Sequence, residues 1–157
     1  MNLGYTESAM PTLRERIDED LKQAMRERDE HRLSVLRLVR AGIKNAEVAA
    51  GKALHESGVL GVLQKEMRER KESLEEFRKA GRADLIAKEE TQLAILEGYL
   101  PEQLGRDEIE AEARAVIAEV SAAGPQHKGK VMSVLMPRLR GKADGREINA
   151  VVTELLG

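Results

Sequence analysis

SGVLGVLQKEMRERKESLEEFRKAG, residues 57–81, decides the fold class. Its apolar side chains Leu60, Leu63, Met67, Leu74 and Phe77 recur at helical spacing, with none of the two-residue alternation of a strand. Oppositely charged side chains one turn apart cover the rest of the surface: Glu66 with Arg70, Lys65 with Glu69, Arg68 with Glu72, Lys71 with Glu75. Such pairs contribute ~0.3 kcal/mol each and usually mark a solvated face. Ser57 is placed to open this helix and Gly81 to end it.

The same period extends in both directions. Thr12 suits the N-cap of a first helix with Leu13, Ile17, Leu21 and Met25 on one face. Asp29 suits the N-cap of a second, with a wide apolar arc of Leu33, Val35, Leu36, Leu38, Val39, Ile43 and Ala46, and Gly51 fits its C′ position. Asp84 is read as the cap of a fourth helix whose Leu85, Leu93, Leu96 and Leu100 face inward. Pro101 disfavours helical geometry at Leu100 and marks a domain boundary. The pattern restarts at Ile109 with Ala113, Val116, Ile117 and Val120 and breaks at Gly124-Pro125; a short apolar run from Val131 to Leu139 follows, its regularity limited by Pro137. Asp144 and Glu147 then stand at N-cap and N3 of a last helix carrying Ile148, Val151, Val152, Leu155 and Leu156. The expectation is an all-α protein, with an N-terminal helical bundle region over residues 11–100 and a compact three-helix C-terminal unit over residues 101–157. Residues 1–10 are polar and aperiodic and read as a disordered tail, so Met10 serves as well as Met1 for a native start.

Composition excludes several classes of function. The chain of 157 residues is 34% charged with a formal net charge of −2, so no global field steers it toward nucleic acid or membrane. Phe77, Tyr5 and Tyr99 are its only aromatic residues besides histidine, too few for base-stacking recognition of single strands. Cysteine is absent, which removes disulfides, thiolate nucleophiles and Cys-ligated zinc. No apolar run approaches the ~18 residues of a membrane span, and no signal-peptide core is present, which points to a cytoplasmic protein.

The remaining chemical motifs are weak. Residues 124–131, GPQHKGKV, fall one position short of the phosphate-binding loop GxxxxGK[ST]: Val131 has no hydroxyl for magnesium, and a helical pattern precedes the loop where a strand is required. His31, His55 and His127 are dispersed, without metal-ligand spacing, and suit exposed or capping roles. Asp18, Glu19 and Asp20 are adjacent and point to different faces. No serine has a base-like partner nearby. No catalytic residue, cofactor or metal is therefore assigned.

Charge segregation in the last third of the chain stands apart. Glu102, Asp107, Glu108, Glu110, Glu112 and Glu119 outnumber Arg106 and Arg114 in the first helix of the C-terminal unit. The following segment reverses the sign with Lys128, Lys130, Arg138, Arg140, Lys142 and Arg146, against Asp144 and Glu147. Two readings stay open. The basic segment pairs with the acidic helix inside the unit, or it contacts phosphates, each cation adding salt-sensitive affinity. Glycines 129, 141 and 145 either bring backbone N–H groups near phosphates or simply connect the helices. Arg37, Arg40 and Lys44 form a weaker basic stripe on the second helix, read as a solvated face.

Ordered blocks carry a family resemblance. Gly129-Lys130-Val131-Met132, Leu135-Met136-Pro137, Gly141-Lys142-Ala143-Asp144-Gly145 and Asn149 resemble the signature of the YqeY family, which is similar to the C-terminal domain of the B subunit of the tRNA-dependent amidotransferase (GatB). Arg32-Leu33-Ser34-Val35-Leu36-Arg37, Arg70-Lys71-x-Ser73-Leu74-Glu75-x-Phe77, Ala80-Gly81-Arg82 and Tyr99-Leu100-Pro101 extend the match over nearly the whole chain beyond Pro11. The resemblance implies an all-helical, two-part fold. In the amidotransferase, the corresponding region is an appendage that helps hold tRNA, while kinase and amidase chemistry reside elsewhere. It therefore implies a protein without autonomous amidotransferase activity, whatever carbon–nitrogen ligase label the family carries. The expected function is non-catalytic binding of tRNA, or of a tRNA-handling complex, through Lys128, Lys130, Arg138, Arg140, Lys142 and Arg146. The alternatives are a protein-interaction adaptor that never touches RNA and an enzyme acting with the amidotransferase.

Overall fold

The computed structural model describes residues 10–157, so all but the last residue of the expected disordered tail lies outside the described residues. The described residues form seven α-helices and one short 3-10 turn, with no strand. The helices are α1 (Leu13–Glu27), α2 (Glu30–Ala50), α3 (Glu56–Lys79), α4 (Ala83–Glu97), α5 (Arg106–Glu119), α6 (Lys128–Arg138) and α7 (Gly145–Leu156); the 3-10 turn is Pro125–His127. The chain divides into two compact units, one ending at Tyr99 and the other beginning at Leu100. None of the helices is long and apolar enough to cross a membrane.

The first unit packs α1–α4 around Ile17, Leu36, Val39, Val59, Leu63 and Leu96, each essentially without solvent exposure. Full burial of such a side chain contributes about 1.5–3 kcal/mol. Caps set by local chemistry hold as read: Thr12 accepts from Glu15 N while Glu15 reaches back to Thr12 N, Asp29 accepts from Arg32 N, and Gly51 ends α2 at φ 70°. Gly42 answers a packing demand, because a Cβ there would lie 2.9 Å from Val62 Cγ1 where α2 meets α3.

Four details depart from the sequence reading. Ala24 replaces Met25 in the α1 core, and Met25 is 55% exposed. A strict four-residue step drifts about 40° per step around a 3.6-residue helix, so the fourth member of the row leaves the buried face. The helix expected to open at Ser57 begins at Glu56, whose carboxylate accepts from Leu13 N at 3.0 Å and so caps α1. Asp84 lies inside the first turn of α4 while Arg82 occupies the N-cap. Finally, Glu66 and Arg70 do not sit on a solvated face. Their side chains are only 13% exposed, and Arg70 lies 3.7 Å from Glu66 and 3.6 Å from Glu89 of α4. Arg70 Nε and Glu89 Oε2 are buried without a hydrogen-bond partner among the described residues. Burial, reinforced by Glu69, raises the Glu66 carboxyl above its usual range.

The second unit packs α5–α7 around Ile109, Ala113, Val116, Val131, Leu135, Ile148, Val151 and Val152. Glu108 reaches back to accept from Gly105 N at 3.1 Å at the start of α5, and Asp144 Oδ1 accepts from Arg146 N at 2.9 Å at the start of α7. Pro137 sits in the last turn of α6, where it has no N–H to return to Ser133 O, and the helix ends one residue later at Arg138; Leu139 N still bonds Leu135 O at 3.1 Å.

Candidate nucleic-acid interface

The six basic residues singled out in the sequence are distributed over α6, the turn after it and the first turn of α7. Lys128 is half-buried and Lys130 exposed, both in the first turn of α6. That turn holds no acid and no side-chain cap. Cations there oppose the positive end of the helix dipole, which costs about 0.3–1 kcal/mol per charge, so helix stability does not account for them. Arg138 closes α6, Arg140 and Lys142 are exposed on the following turn, and Arg146 is exposed in the first turn of α7. The 11 residues of α6 span ~16 Å, so Lys128 and Lys130 stand well apart from the cations beyond its other end.

Arg138 takes a different role from its neighbours. It forms a two-point pair with Glu119 of α5, Nη1 to Oε1 at 3.0 Å and Nη2 to Oε2 at 2.7 Å. The pair lowers the Glu119 carboxyl and raises the Arg138 guanidinium, with Glu112 adding to the latter. Among the described residues, Lys128, Lys130, Arg140, Lys142 and Arg146 have no carboxylate at ion-pair distance. On the acidic helix Arg106 pairs with Glu110 at 3.3 Å and also reaches Glu154 of α7.

The turn between α6 and α7 is firmly held. Gly141 is buried at φ 81°, in the left-handed region that favours glycine. Lys142 N donates to Leu139 O at 2.9 Å, Leu104 N donates to Lys142 O at 2.9 Å, and Gln103 Nε2 donates to Gly141 O at 2.8 Å. Neither Gln103 nor Leu104 stood out in the sequence. Their only signal is position, directly after Pro101, in a segment too short for a helix.

The near-match to a phosphate-binding loop folds as a 3-10 turn running into α6, with His127 Nδ1 accepting from Ala123 N at 2.9 Å. His31 and His55 are exposed. On α2, Arg40 lies 3.5 Å from Asp18, while Arg37 and Lys44 are exposed and make no ion pair among the described residues.

The family model described as Yqey-like protein matches residues 14–156. A Pyrenophora tritici-repentis protein named Altered inheritance of mitochondria protein 41, mitochondrial, is 32% identical over 160 residues, covering 99% of this chain and 88% of its own. Proteins of the same name from Kluyveromyces lactis and Lachancea thermotolerans are 32% and 35% identical over 136 and 112 residues. These matches cover 84% and 69% of this chain, and 69% and 60% of the relatives. With the match spanning α1 to α7, the chain belongs to the YqeY-like protein family.

Proposed function

We propose that this protein is a non-catalytic helical module that binds tRNA, or a complex that handles tRNA, through the 128–146 segment of its C-terminal unit. The observation that carries this reading is the division of labour among the cations. Glu119 engages Arg138, and among the described residues Lys128, Lys130, Arg140, Lys142 and Arg146 have no acidic partner at ion-pair distance. Their spread along and beyond α6 suits several phosphates of a polyanion better than one small anion. Nothing in the segment resembles a base reader, so binding should follow backbone geometry and charge. The compartment proposed for this chain is the cytoplasm, whereas its relatives are named as mitochondrial proteins.

The test reverses Lys130, Arg140 and Lys142 to Glu together, sparing Arg138 because its loss would break the pair with Glu119. Wild type should bind tRNA with an affinity that falls as salt rises, and the reversed protein should lose binding with unchanged helix content by circular dichroism. Absence of wild-type binding at low salt would overturn the proposal. The adaptor reading would then take over, supported by Leu38 and Val48 on the outer face of α2, 45% and 74% exposed.

A further inference from the structure

The turn that carries Arg140 and Lys142 is tied to the segment before α5 at several points. Gln103 uses its side-chain nitrogen twice, donating to Pro101 O and to Gly141 O, each at 2.8 Å. A primary amide offers two N–H groups, so both donors are consumed, and two carbonyl partners require nitrogen rather than oxygen at that position. The next residue adds its own tie, Leu104 N to Lys142 O at 2.9 Å. Leu104 is further anchored by packing against the core of the unit. Two consecutive carbonyls, those of Gly141 and Lys142, are thus held by two consecutive residues 38 positions earlier in the chain. The side chains flanking Gly141, Arg140 and Lys142, remain exposed.

We propose that Gln103 is a positioning residue for phosphate contact, fixing the 139–142 turn so that Arg140 and Lys142 meet an RNA sugar-phosphate backbone at a preset spacing. The inference rests on the RNA reading above and adds the device that prepares the site. The order is imposed during folding, so binding need not immobilise the turn backbone, and affinity rises by that saving. Gln103 touches no phosphate itself. Its effect runs entirely through Arg140 and Lys142, and that dependence is the signature to measure.

The experiment compares tRNA affinity at fixed low salt for wild type, Q103M, R140A/K142A and Q103M/R140A/K142A, with amide hydrogen exchange on the unbound proteins. Methionine keeps the length and volume of glutamine without its donors; Q103E, which also cannot donate to a carbonyl, is the second variant should Q103M not fold. Loss of this one bridging group should weaken binding about threefold to tenfold in the wild-type background. In the R140A/K142A background the same change should matter less than about twofold, because coupled residues do not add. Exchange at the Lys142 and Leu104 amides should accelerate in Q103M. Equal loss in both backgrounds would make Gln103 a general fold residue and overturn the proposal. Unchanged affinity, or unchanged exchange at Lys142, would overturn it as well. Wild-type binding with an indifferent Q103M removes this inference alone, whereas absence of wild-type binding removes the RNA reading and this inference with it.

Discussion

The Tyr99 phenol donates a 2.5 Å hydrogen bond to Asp20 Oδ2, joining the residue just after α4 to the middle of α1. The Arg16 guanidinium lies 5.2 Å from the centroid of the same ring and donates to Gly98 O at 3.3 Å. Burial, aided by the hydrogen bond and negative charge of Asp20, pushes the phenol well above its usual range, so it stays a donor at any working pH. One aromatic residue thus fastens the exit of the N-terminal unit by packing, by a charge-assisted hydrogen bond and by a cation over its face.

Replacing Tyr99 by Phe keeps the ring and removes the bond to a carboxylate. Loss of a hydrogen bond to a charged group costs about 1.5–3 kcal/mol. A lower urea midpoint with an unchanged slope is the expected result.

Leu63 is fully buried and Leu74 is 6% exposed on the same face of α3. Leu63→Ala should destabilise by about 2–5 kcal/mol through lost transfer energy and the cavity left behind. Leu74→Asp places an unpaired charge in that core and should unfold the N-terminal unit. Thermal melts followed by circular dichroism check both, and a Leu74→Asp protein that melts like wild type would show that this face is not core.

The Glu119–Arg138 pair gives a signed pH dependence. Arg138 lowers the Glu119 carboxyl in the folded state, so this stabilisation is present above the unfolded carboxylate range and is lost as pH falls through the folded value. R138A should flatten that part of the acid-denaturation profile. The pair is exposed, and the effect should shrink in high salt.

Glu66 has the opposite sign. Its folded carboxyl is raised, chiefly by burial, so the folded protein binds the proton more readily than the unfolded chain does. Stability should gain from protonation as pH falls through the raised value, and E66Q should abolish that gain. Denaturant titrations of wild type and E66Q between pH 4 and pH 7 should converge at the acid end; constant separation would refute the assignment.

Gly141 at φ 81° sets a backbone test. An L-residue in the left-handed region costs about 1–2 kcal/mol, so Gly141→Ala should lower the melting temperature of the C-terminal unit and loosen the turn bearing Arg140 and Lys142.

What the sequence determined alone is what short-range physics controls. The 3.6-residue period marked the longer helices, because amphipathic burial needs one continuous stripe, whereas α6 showed only as a short apolar run interrupted by Pro137. Thr12, Asp29 and Gly51 were legible as caps because each acts on backbone within four residues of itself. The six cations of the last third were visible as a composition. Tertiary structure decided which of them had a use inside the fold. Arg138 meets Glu119 only because α5 and α6 pack side by side, while Arg140 and Lys142 stay open on a turn tied by Gln103 and Leu104. The pair Glu66–Arg70 looked like surface chemistry along one helix and became a nearly buried cluster once α4 brought Glu89 against it. Helix period and capping are properties of neighbours in sequence; burial and ion-pair choice depend on which distant helices arrive, and that is set by the packing of the whole unit.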